Sequence, residues 1–309
     1  MRAVVVSEWG GPEVLTEVET ARPEPGLNEI LVRVHAAGVN PVDWKTRASG
    51  ALIAWGEVPI VGWDVSGTVE AVGPGVTLYR PGDEVYGMPH FPRQAGGYAE
   101  YVAAPARHFA RKPASLDHVE AAALPLAALT AWQALVDGAD VRPGERVLVH
   151  AAAGGVGHLA VQIAKARGAY VIGTASAAKH GVLRELGADE VVDYRSQDFA
   201  EVVAEVDVVL DTLGGEIAQR SLEVLKPGGR LVSLPGPDDV PAAAAERGVH
   251  AAWTLVEPDR KGLEEIAALA DRGLLRPLVE TVLPLELAAK AHEIGEQGRT
   301  TGKIVLTVA

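Results

Sequence analysis

The sequence predicts an α/β protein that combines a mainly antiparallel β domain with a doubly wound parallel sheet. Three observations lead to this fold class. The chain has 309 residues, which favours two domains over one. Up to Ser115, apolar residues form short alternating runs separated by turns rich in glycine and proline. Beyond Ser115, strands alternate with helices of about 10–15 residues, the pattern of βαβ units in a parallel sheet.

The first part of the chain is predicted to contain short strands and limited helix. Strands are expected where β-branched or alternating runs occur, at Ala3–Val6, Glu29–Ala36, Val65–Val72 and Tyr98–Ala103. A helix is expected over Pro41–Ser49. These elements indicate a compact, irregular β domain.

The second part begins with a capped, alanine-rich helix. Ser115-Leu116-Asp117 can cap a helix over Val119–Ala123 that resumes over Ala128–Asp137. Strands are then predicted at Arg146–His150, Tyr170–Thr174, Glu190–Asp193, Asp207–Thr212, Arg230–Leu234 and Val249–Val256. Helices are predicted at Val156–Ala166, Ala177–Leu186, Gln197–Val203 and Ile217–Leu225. Because the last segment is expected to return to the first domain, the predicted domains are residues 1–118 with 257–309, and residues 119–256.

Composition excludes several classes of function. The 28 Lys and Arg against 41 Asp and Glu leave a net charge of −13, which argues against binding nucleic acid or anionic membrane by general electrostatics. Cysteine is absent, which removes disulfides, thiolate catalysis, iron–sulfur clusters and zinc sites that use Cys. No signal peptide and no run of 18 apolar residues is found, so a cytoplasmic protein is expected.

The most informative motif follows the buried run Val147–Val149. Ala152-x-Gly154-x-x-Gly157 fits the dinucleotide-binding fingerprint, with alanine in the first glycine place. Small residues let the turn approach a pyrophosphate, and the following helix offers free N–H groups and a positive dipole end. The motif therefore predicts a Rossmann cofactor site. The alternative is a turn that is glycine-rich for packing alone. The predicted cofactor contacts in this turn are Ala153, Gly154, Gly155, Val156 and Gly157.

The end of the second strand of this unit indicates which dinucleotide binds. An NAD site usually has an acidic residue there for the ribose 2′-hydroxyl. Gly173–His180 contains no acid. Ser176 can donate to a 2′-phosphate and Lys179 can neutralise it, which favours NADP(H). The alternative for Lys179 is a solvated lysine in a first helical turn.

These residues resemble the medium-chain dehydrogenase/reductase superfamily, specifically its zinc-independent quinone oxidoreductase (zeta-crystallin-like) family. The resemblance covers essentially the whole chain. It rests on spaced motifs in order: Gly38–Asp43, Gly62–Val69, Ala121–Leu124, Leu129–Trp132, Gly144-Glu145, Gly154–Gly157 with Gln162 and Lys165, and Leu186–Asp189 near Tyr194. It implies a GroES-like first domain, a Rossmann second domain, and a cleft between them for nicotinamide and substrate.

The resemblance also implies roles for particular residues. In zinc-dependent relatives, metal ligands would fall at Asn40, Trp63 and Leu126, which do not make a zinc set, so no metal is expected. Asn40 would face the nicotinamide side of the cleft. The remaining implied cofactor contacts are Thr130 at the start of its helix, Ser176, Lys179 and Tyr194 at the 2′-phosphate, and Arg299 with Lys303 near the C-terminus.

Hydride transfer to an organic acceptor needs alignment and stabilisation of the charge that develops on oxygen. Asn40 can donate an amide hydrogen bond. Asp43 is a candidate with a structural alternative, and Lys45 either polarises a carbonyl or is solvated. Trp44 and Trp63 either form an aromatic wall for a flat acceptor or belong to the core. The segment Trp44–Arg47 departs from the family, where many quinone reductases carry a tyrosine, and Ala48–Trp55 has its own composition.

Roles are also predicted for two histidines and for one edge strand. His90 is a weak candidate proton donor, and His150 is expected to be structural. Val249–Val256 would be the edge of the Rossmann sheet and could pair with its twin in a homodimer.

The sequence thus predicts a metal-free oxidoreductase that uses NADPH. Quinone oxidoreductase is the leading interpretation, with direct hydride transfer to a quinone. A reductase of the C=C bond of α,β-unsaturated carbonyls (an enone or enoyl reductase) is the alternative, since both share every cofactor motif. A second alternative is an NADPH-binding sensor without turnover.

Overall fold

The computed structural model describes residues 1–50, 58–236 and 240–308. The chain divides into two compact units. The first unit contains Met1–Leu129, Glu257–Gly273 and Pro277–Ala309, and the second contains Thr130–Val256 and Leu274–Arg276. Part of the predicted Ala48–Trp55 segment lies outside the described residues.

Strands and helices alternate along the second unit and are mixed along the first. The strands are β1 (Arg2–Val6), β2 (Leu15–Glu19), β3 (Glu29–Val39), β4 (Asp64–Val72), β5 (Glu84–Gly87), β6 (Tyr101–Pro105), β7 (Phe109–Arg111), β8 (Arg146–Val149), β9 (Tyr170–Ala175), β10 (Glu190–Asp193), β11 (Val206–Asp211), β12 (Leu225–Ser233), β13 (His250–Trp253), β14 (Val279–Pro284) and β15 (Lys303–Thr307). The helices are α1 (Pro41–Ser49), α2 (His118–Ala122), α3 (Pro125–Trp132), α4 (Gly157–Ala166), α5 (His180–Glu185), α6 (Phe199–Val202), α7 (Gly215–Ser221), α8 (Val240–Glu246), α9 (Arg260–Asp271) and α10 (Ala288–Glu296). None of these described helices is long and apolar enough to cross a membrane.

The first unit is built on a seven-stranded sheet in the order β14-β15-β3-β4-β5-β7, with β6 also paired to β3. The long strand β3 is central because its apolar side chains, such as Ile30, Val32 and Val34, are buried on the core side. The pairing of β15 with β3 is antiparallel, so the C-terminal segment returns to this sheet as expected. Tyr98 lies before β6 instead of beginning it, because its carbonyl accepts the N–H of Val4 from β1.

The second unit has a six-stranded parallel sheet in the order β10-β9-β8-β11-β12-β13. Written from β8 as the first strand, this is the 3-2-1-4-5-6 order of the dinucleotide-binding fold. Val147, Leu148 and Val149 of β8 are fully buried, as a parallel strand covered on both faces requires. The predicted fold class is therefore confirmed. The order reverses between β8 and β11, so ligands are expected at the carboxyl ends of these strands.

Candidate cofactor and active site

The turn after β8 is shaped by close backbone contacts. Ala151 takes a left-handed conformation with φ of 46°, and the N–H of Gly154 donates to its carbonyl at 2.8 Å. A Cβ at Gly157 would collide with the Ala151 carbonyl oxygen and lie 2.7 Å from the Ala152 Cα. Only glycine therefore fits where α4 begins, and the turn presents backbone instead of side chains.

The first turn of α4 is suited to an anion. It contains no acidic residue, and its N-cap, Val156, offers no side-chain hydrogen bond to the helix N–H groups. Such N–H groups and the helix dipole attract negative charge. His158 faces back to the turn, with its Nδ1 2.8 Å from the Gly154 carbonyl oxygen. These features fit the pyrophosphate of a dinucleotide.

The carboxyl ends of β9 and β10 bring together two predicted contact residues. Ala175 of β9 is paired in register with Asp193 of β10, so Ser176 and Tyr194 leave adjacent strands at the same edge of the sheet. Tyr194 is 59% exposed. Lys179 closes the turn that begins at Ser176, its N–H donating to the Ser176 carbonyl at 2.9 Å.

Sequence reasoning missed one cation at this edge. The Arg195 guanidinium lies 5.8 Å from the centre of the Tyr194 ring. The neighbouring Asp193 carboxylate accepts hydrogen bonds from the Arg195 N–H and the Ser196 hydroxyl. Hydrogen bonding by the Arg195 backbone lowers the pKa of Asp193 below its usual value. The Tyr194-Arg195 pair directly after a predicted strand was the signal available in the sequence.

His150, at the end of β8, is buried among polar side chains. Its Nε2 lies 2.9 Å from the Ser221 hydroxyl and its Nδ1 lies 3.3 Å from the Thr174 hydroxyl. Burial lowers the pKa of His150 to about 4, and the Asp211 carboxylate opposes this shift. With 1% of its surface exposed, the imidazole has a structural position, as expected.

His150 is expected to make stability fall as the solution is acidified. The unfolded chain binds a proton at this histidine near pH 6.5 and the folded chain only near pH 4, so stability is lost as pH falls through that interval. The substitution His150→Gln keeps a donor and an acceptor and should remove about 2 kcal/mol of the stability lost between pH 7 and pH 5. Urea unfolding at both pH values measures this, and an unchanged pH slope would show that the histidine does not contribute.

The first unit holds a buried polar cluster around Asn40, which follows β3. The Asn40 Nδ2 donates to Asp64 Oδ2 at 2.8 Å, and Lys303 Nζ donates to Asn40 Oδ1. Lys303 Nζ also donates to the Val39 carbonyl at 2.9 Å and lies 3.5 Å from Asp64 Oδ2. The other Asp64 oxygen accepts the Leu126 N–H at 2.7 Å. Asn40, Asp64 and Lys303 are at most 3% exposed.

The charges of this cluster are set by burial and by one another. Burial lowers the pKa of Lys303 from its usual value, while Asp64 opposes that shift. Burial likewise raises the pKa of Asp64, while the Lys303 ammonium and the Asn40 amide oppose it. Each group therefore depends on the other to stay ionised in the protein interior.

Asp43 connects this cluster to a second set of buried side chains. Its Oδ2 accepts the Asn40 N–H at 2.7 Å and the Tyr98 hydroxyl at 3.0 Å. Its Oδ1 has no hydrogen-bond partner within the described residues, and burial raises the pKa of Asp43 to about 7. The Tyr98 hydroxyl lies 3.1 Å from His292 Nε2, and burial lowers the pKa of His292 to about 3. Asp43 thus caps α1 and joins it to α10.

The other predicted catalytic side chains have varied positions in the first unit. Lys45 is exposed. Trp44 is partly buried and packs edge-on against His292, with ring centres 6.2 Å apart. Trp63 is 1% exposed, its Nε1 donating to the Arg93 carbonyl at 2.7 Å. The Trp63 contacts are those of a packed core residue.

Three further candidate residues lie in separate places. Thr130, in α3 at the start of the second unit, is 6% exposed. Arg299, in the loop before β15 of the first unit, is exposed. His90 has a left-handed φ of 58°, and its Nε2 lies 3.1 Å from the Ala103 carbonyl. The His90 contacts are those of a loop anchor.

Comparisons with known proteins agree with this geometry. A model of the alcohol dehydrogenase GroES-like domain matches residues 26–114, and a model described as zinc-binding dehydrogenase matches residues 186–306. The chain is 36% identical to the quinone oxidoreductase of Sus scrofa, over 99% of this chain and 97% of the relative. It is similar to the structure of the quinone oxidoreductase from Coxiella burnetii, with a TM-score of 0.93, 37% identity, and coverage of 100% of this chain and 99% of that one. The Escherichia coli quinone oxidoreductase complexed with NADPH has a TM-score of 0.88, 31% identity and full coverage of both chains.

A GroES-like unit combined with a parallel sheet and a glycine turn defines the class of two-domain dehydrogenases and reductases. Within that class, the chain belongs to the zeta-crystallin-like quinone oxidoreductase family of the medium-chain dehydrogenase/reductase superfamily. The predicted family is therefore confirmed.

The residues at the zinc positions of the superfamily do not fit a zinc ion. Asn40 offers an amide that Asp64 and Lys303 engage, the Trp63 nitrogen is a donor only, and Leu126 has an alkyl side chain. Zinc requires Cys, His or carboxylate ligands. Among the described residues, no group of three His, Cys, Asp or Glu is placed to hold a metal. A catalytic zinc ion therefore does not fit at these three positions.

Proposed function

We propose that this protein is an NADPH-dependent oxidoreductase that reduces quinones by direct hydride transfer. The observation that carries the proposal is the glycine turn at the switch point of a parallel sheet, in a chain of the quinone oxidoreductase family. The complex of the Escherichia coli relative with NADPH supports the choice of cofactor. Bound NADPH would supply a hydride, which together with one proton from solvent converts a quinone to a hydroquinone.

The residues of this chain would bind and orient the reactants. Backbone N–H groups of Ala153, Gly155, Val156 and Gly157 would hold the pyrophosphate, and Gly154, which lacks a side chain, would let the turn approach it closely. Ser176, Lys179 and Tyr194 would hold the 2′-phosphate, with Thr130 and Arg299 as further cofactor contacts. Asn40 would donate an amide hydrogen bond to the acceptor oxygen that gains negative charge. The candidates for shaping the acceptor site are Asp43, Trp44, Lys45 and Trp63.

We propose that the two predicted domains have separate roles, one in substrate binding and the other in cofactor binding. Residues 1–118 with 257–309 would form the substrate domain, and residues 119–256 the NADP-binding domain. We propose that the protein acts in the cytoplasm.

Acceptor choice decides between the two enzymatic proposals. Loss of NADPH absorbance is followed with a benzoquinone and with a simple conjugated enone under matched conditions. Faster oxidation with the quinone supports the leading proposal. Turnover with the enone alone, giving the saturated ketone, would make the protein a double-bond reductase. Tight NADPH binding with neither acceptor consumed would favour the sensor alternative.

Loss of the Lys179 charge should weaken NADPH binding selectively. Lys179→Ala removes a cation from the predicted 2′-phosphate site, so the Kd of NADPH should rise about 10-fold and that of NADH should not change. Lys290→Ala, at an exposed position on α10, is the matched control. Both dissociation constants follow from quenching of tryptophan fluorescence. Equal weakening of NADPH and NADH would contradict the assignment.

We also propose a homodimer formed through β13, the edge strand of the second sheet. Trp253 and Leu255 at this edge are each 45% exposed, although both are apolar. Trp253→Glu should shift gel filtration from the dimer to the monomer mass, whereas Leu27→Glu, at an exposed position in the first unit, should not. A wild-type protein of monomer mass would contradict this proposal.

A further inference from the structure

The buried pair of Lys303 and Asp64 lies beside Asn40 in the first unit. Lys303 is 3% exposed and Asp64 is fully buried, at 3.5 Å from nitrogen to oxygen. Removing two charges from water is costly, and replacing such a pair by apolar residues is often neutral or stabilising. The pair therefore calls for a role other than stability.

The two charged groups touch opposite ends of one carboxamide. Lys303 Nζ donates to Asn40 Oδ1, and Asn40 Nδ2 donates to Asp64 Oδ2 at 2.8 Å. An ammonium has donors only and a carboxylate accepts only. Both neighbours consequently require the same orientation of the Asn40 amide. If the amide rotated by 180°, its NH₂ group would face the Lys303 ammonium, donor against donor, and its oxygen would face the Asp64 carboxylate, acceptor against acceptor.

This orientation leaves one donor unused. Asn40 Nδ2 carries two hydrogens, and the bond to Asp64 uses one. Within the residues that the structure describes, no hydrogen bond uses the second. The Asn40 oxygen, in contrast, is occupied by the ammonium.

We propose that Lys303 and Asp64 are positioning residues that lock the Asn40 amide with its second Nδ2–H directed to the acceptor, so that Asn40 acts only as a hydrogen-bond donor. This inference rests on the proposed function, in which Asn40 contacts the acceptor oxygen. The family resemblance implies Lys303 as a cofactor contact; in this proposal Lys303 instead acts through Asn40, because its ammonium already bonds Asn40, the Val39 carbonyl and Asp64. The amide would stabilise the charge that develops on a quinone or enone oxygen during hydride transfer.

The same pair is itself fixed in place by the backbone, so it holds the Asn40 amide rigidly. Asp64 is fixed on its other side by the Leu126 N–H at 2.7 Å, and Lys303 is fixed by the Val39 carbonyl at 2.9 Å. Both anchors are backbone groups at the ends of regular elements, so the amide is held on rigid structure. A preorganised donor costs no reorganisation when charge develops.

The test removes the charges while keeping the site buried and hydrogen-bonded. In Lys303→Met/Asp64→Asn, the introduced amide keeps an oxygen for the Leu126 N–H and turns a nitrogen to Asn40. The Asn40 amide should then rotate and present its oxygen where the donor was. We expect kcat with a benzoquinone to fall about 10- to 100-fold, with the Kd of NADPH unchanged.

A double-mutant cycle shows whether the pair acts through Asn40. In the Asn40→Ala background, the Lys303→Met/Asp64→Asn change should lower kcat no further, because the amide that it orients is gone. Multiplicative losses in kcat, or a parallel rise in the Kd of NADPH, would overturn the proposal and indicate a structural role.

A spectroscopic readout keeps this inference separate from the proposed function. Asn28 and Asn40 are the two asparagines of the sequence, so ¹⁵N-asparagine labelling gives two side-chain NH₂ groups in the wild type. The Asn40 pair should be widely split and slow to exchange, and the pair of exposed Asn28 should not. In the Lys303→Met/Asp64→Asn variant the asparagine introduced at position 64 adds a third pair, the Asn40 pair should shift, and the Asn28 pair should stay in place. If the wild type reduces no acceptor but shows this pattern, the proposed function fails and the locked amide stands. If the Asn40 pair resembles that of Asn28, the locked amide is wrong whatever the activity.

Discussion

Gly157→Ala is expected to abolish tight binding of NADPH and to lower the free energy of unfolding by about 1–3 kcal/mol. A Cβ at this position would collide with the Ala151 carbonyl oxygen and lie 2.9 Å from the Ala152 carbonyl carbon. Backbone atoms cannot move aside as a flexible side chain can, so the turn must open and its N–H groups lose their alignment. Urea unfolding and titration with NADPH measure the two effects.

Gly181→Ala is the matched control for this substitution. Nothing lies within 4 Å of a Cβ built at Gly181, which is in α5 of the same unit. Alanine there should leave stability unchanged or raise it by up to about 1 kcal/mol. A Gly157→Ala protein as stable as Gly181→Ala, with wild-type affinity for NADPH, would show that the turn is not the cofactor site.

Lys303→Met is expected to destabilise the first unit by about 3–5 kcal/mol at pH 7. The substitution leaves the buried Asp64 carboxylate without its cation, and burial already raises the pKa of Asp64. In the variant the folded state should bind a proton at Asp64 more readily than the unfolded chain. The stability gap to the wild type should therefore narrow as pH is lowered.

Neutralising the partner separates lost charge pairing from lost packing. Lys303→Met/Asp64→Asn carries no charge at positions 303 and 64, so it should recover most of the stability lost in Lys303→Met. Thermal unfolding of the three proteins at pH 7 and pH 5 gives the comparison. A double variant as unstable as Lys303→Met, at both pH values, would mean that Lys303 stabilises by packing.

Local elements of this fold could be predicted well from sequence. The helix Pro41–Ser49 was predicted with its observed bounds, and Asp117 caps α2 by accepting the Glu120 N–H at 2.8 Å. The βα alternation predicted the parallel sheet, because periodicity and glycine placement act over a few residues. Predicted and observed bounds differ where pairing between distant parts of the chain determines the strand. The carbonyl of Tyr98 accepts a hydrogen bond from β1, so the strand that was expected to begin at Tyr98 begins at Tyr101.

The candidate site likewise has a part that is predictable from local sequence and a part that depends on long-range contacts. The glycine turn is a local motif and could be identified directly. The locking of Asn40 could not be predicted, since its partners lie 24 and 263 positions away, and Asp64 stands out in the sequence only as part of the motif Gly62–Val69. Pairing of β9 with β10 brings Ser176 and Tyr194 to one edge, a placement that only the sheet order establishes.

In the proposed reaction a hydride passes directly from NADPH to the acceptor. The most direct measurement is a single-turnover reaction of the NADPH-loaded enzyme with a benzoquinone, using NADPH deuterated at either position of C4. Because the proposed contacts would hold the cofactor in one orientation, one deuterated form should slow the reaction by a primary isotope effect and the other should not. Equal rates with both forms and with unlabelled NADPH, or no oxidation of bound NADPH, would contradict the account.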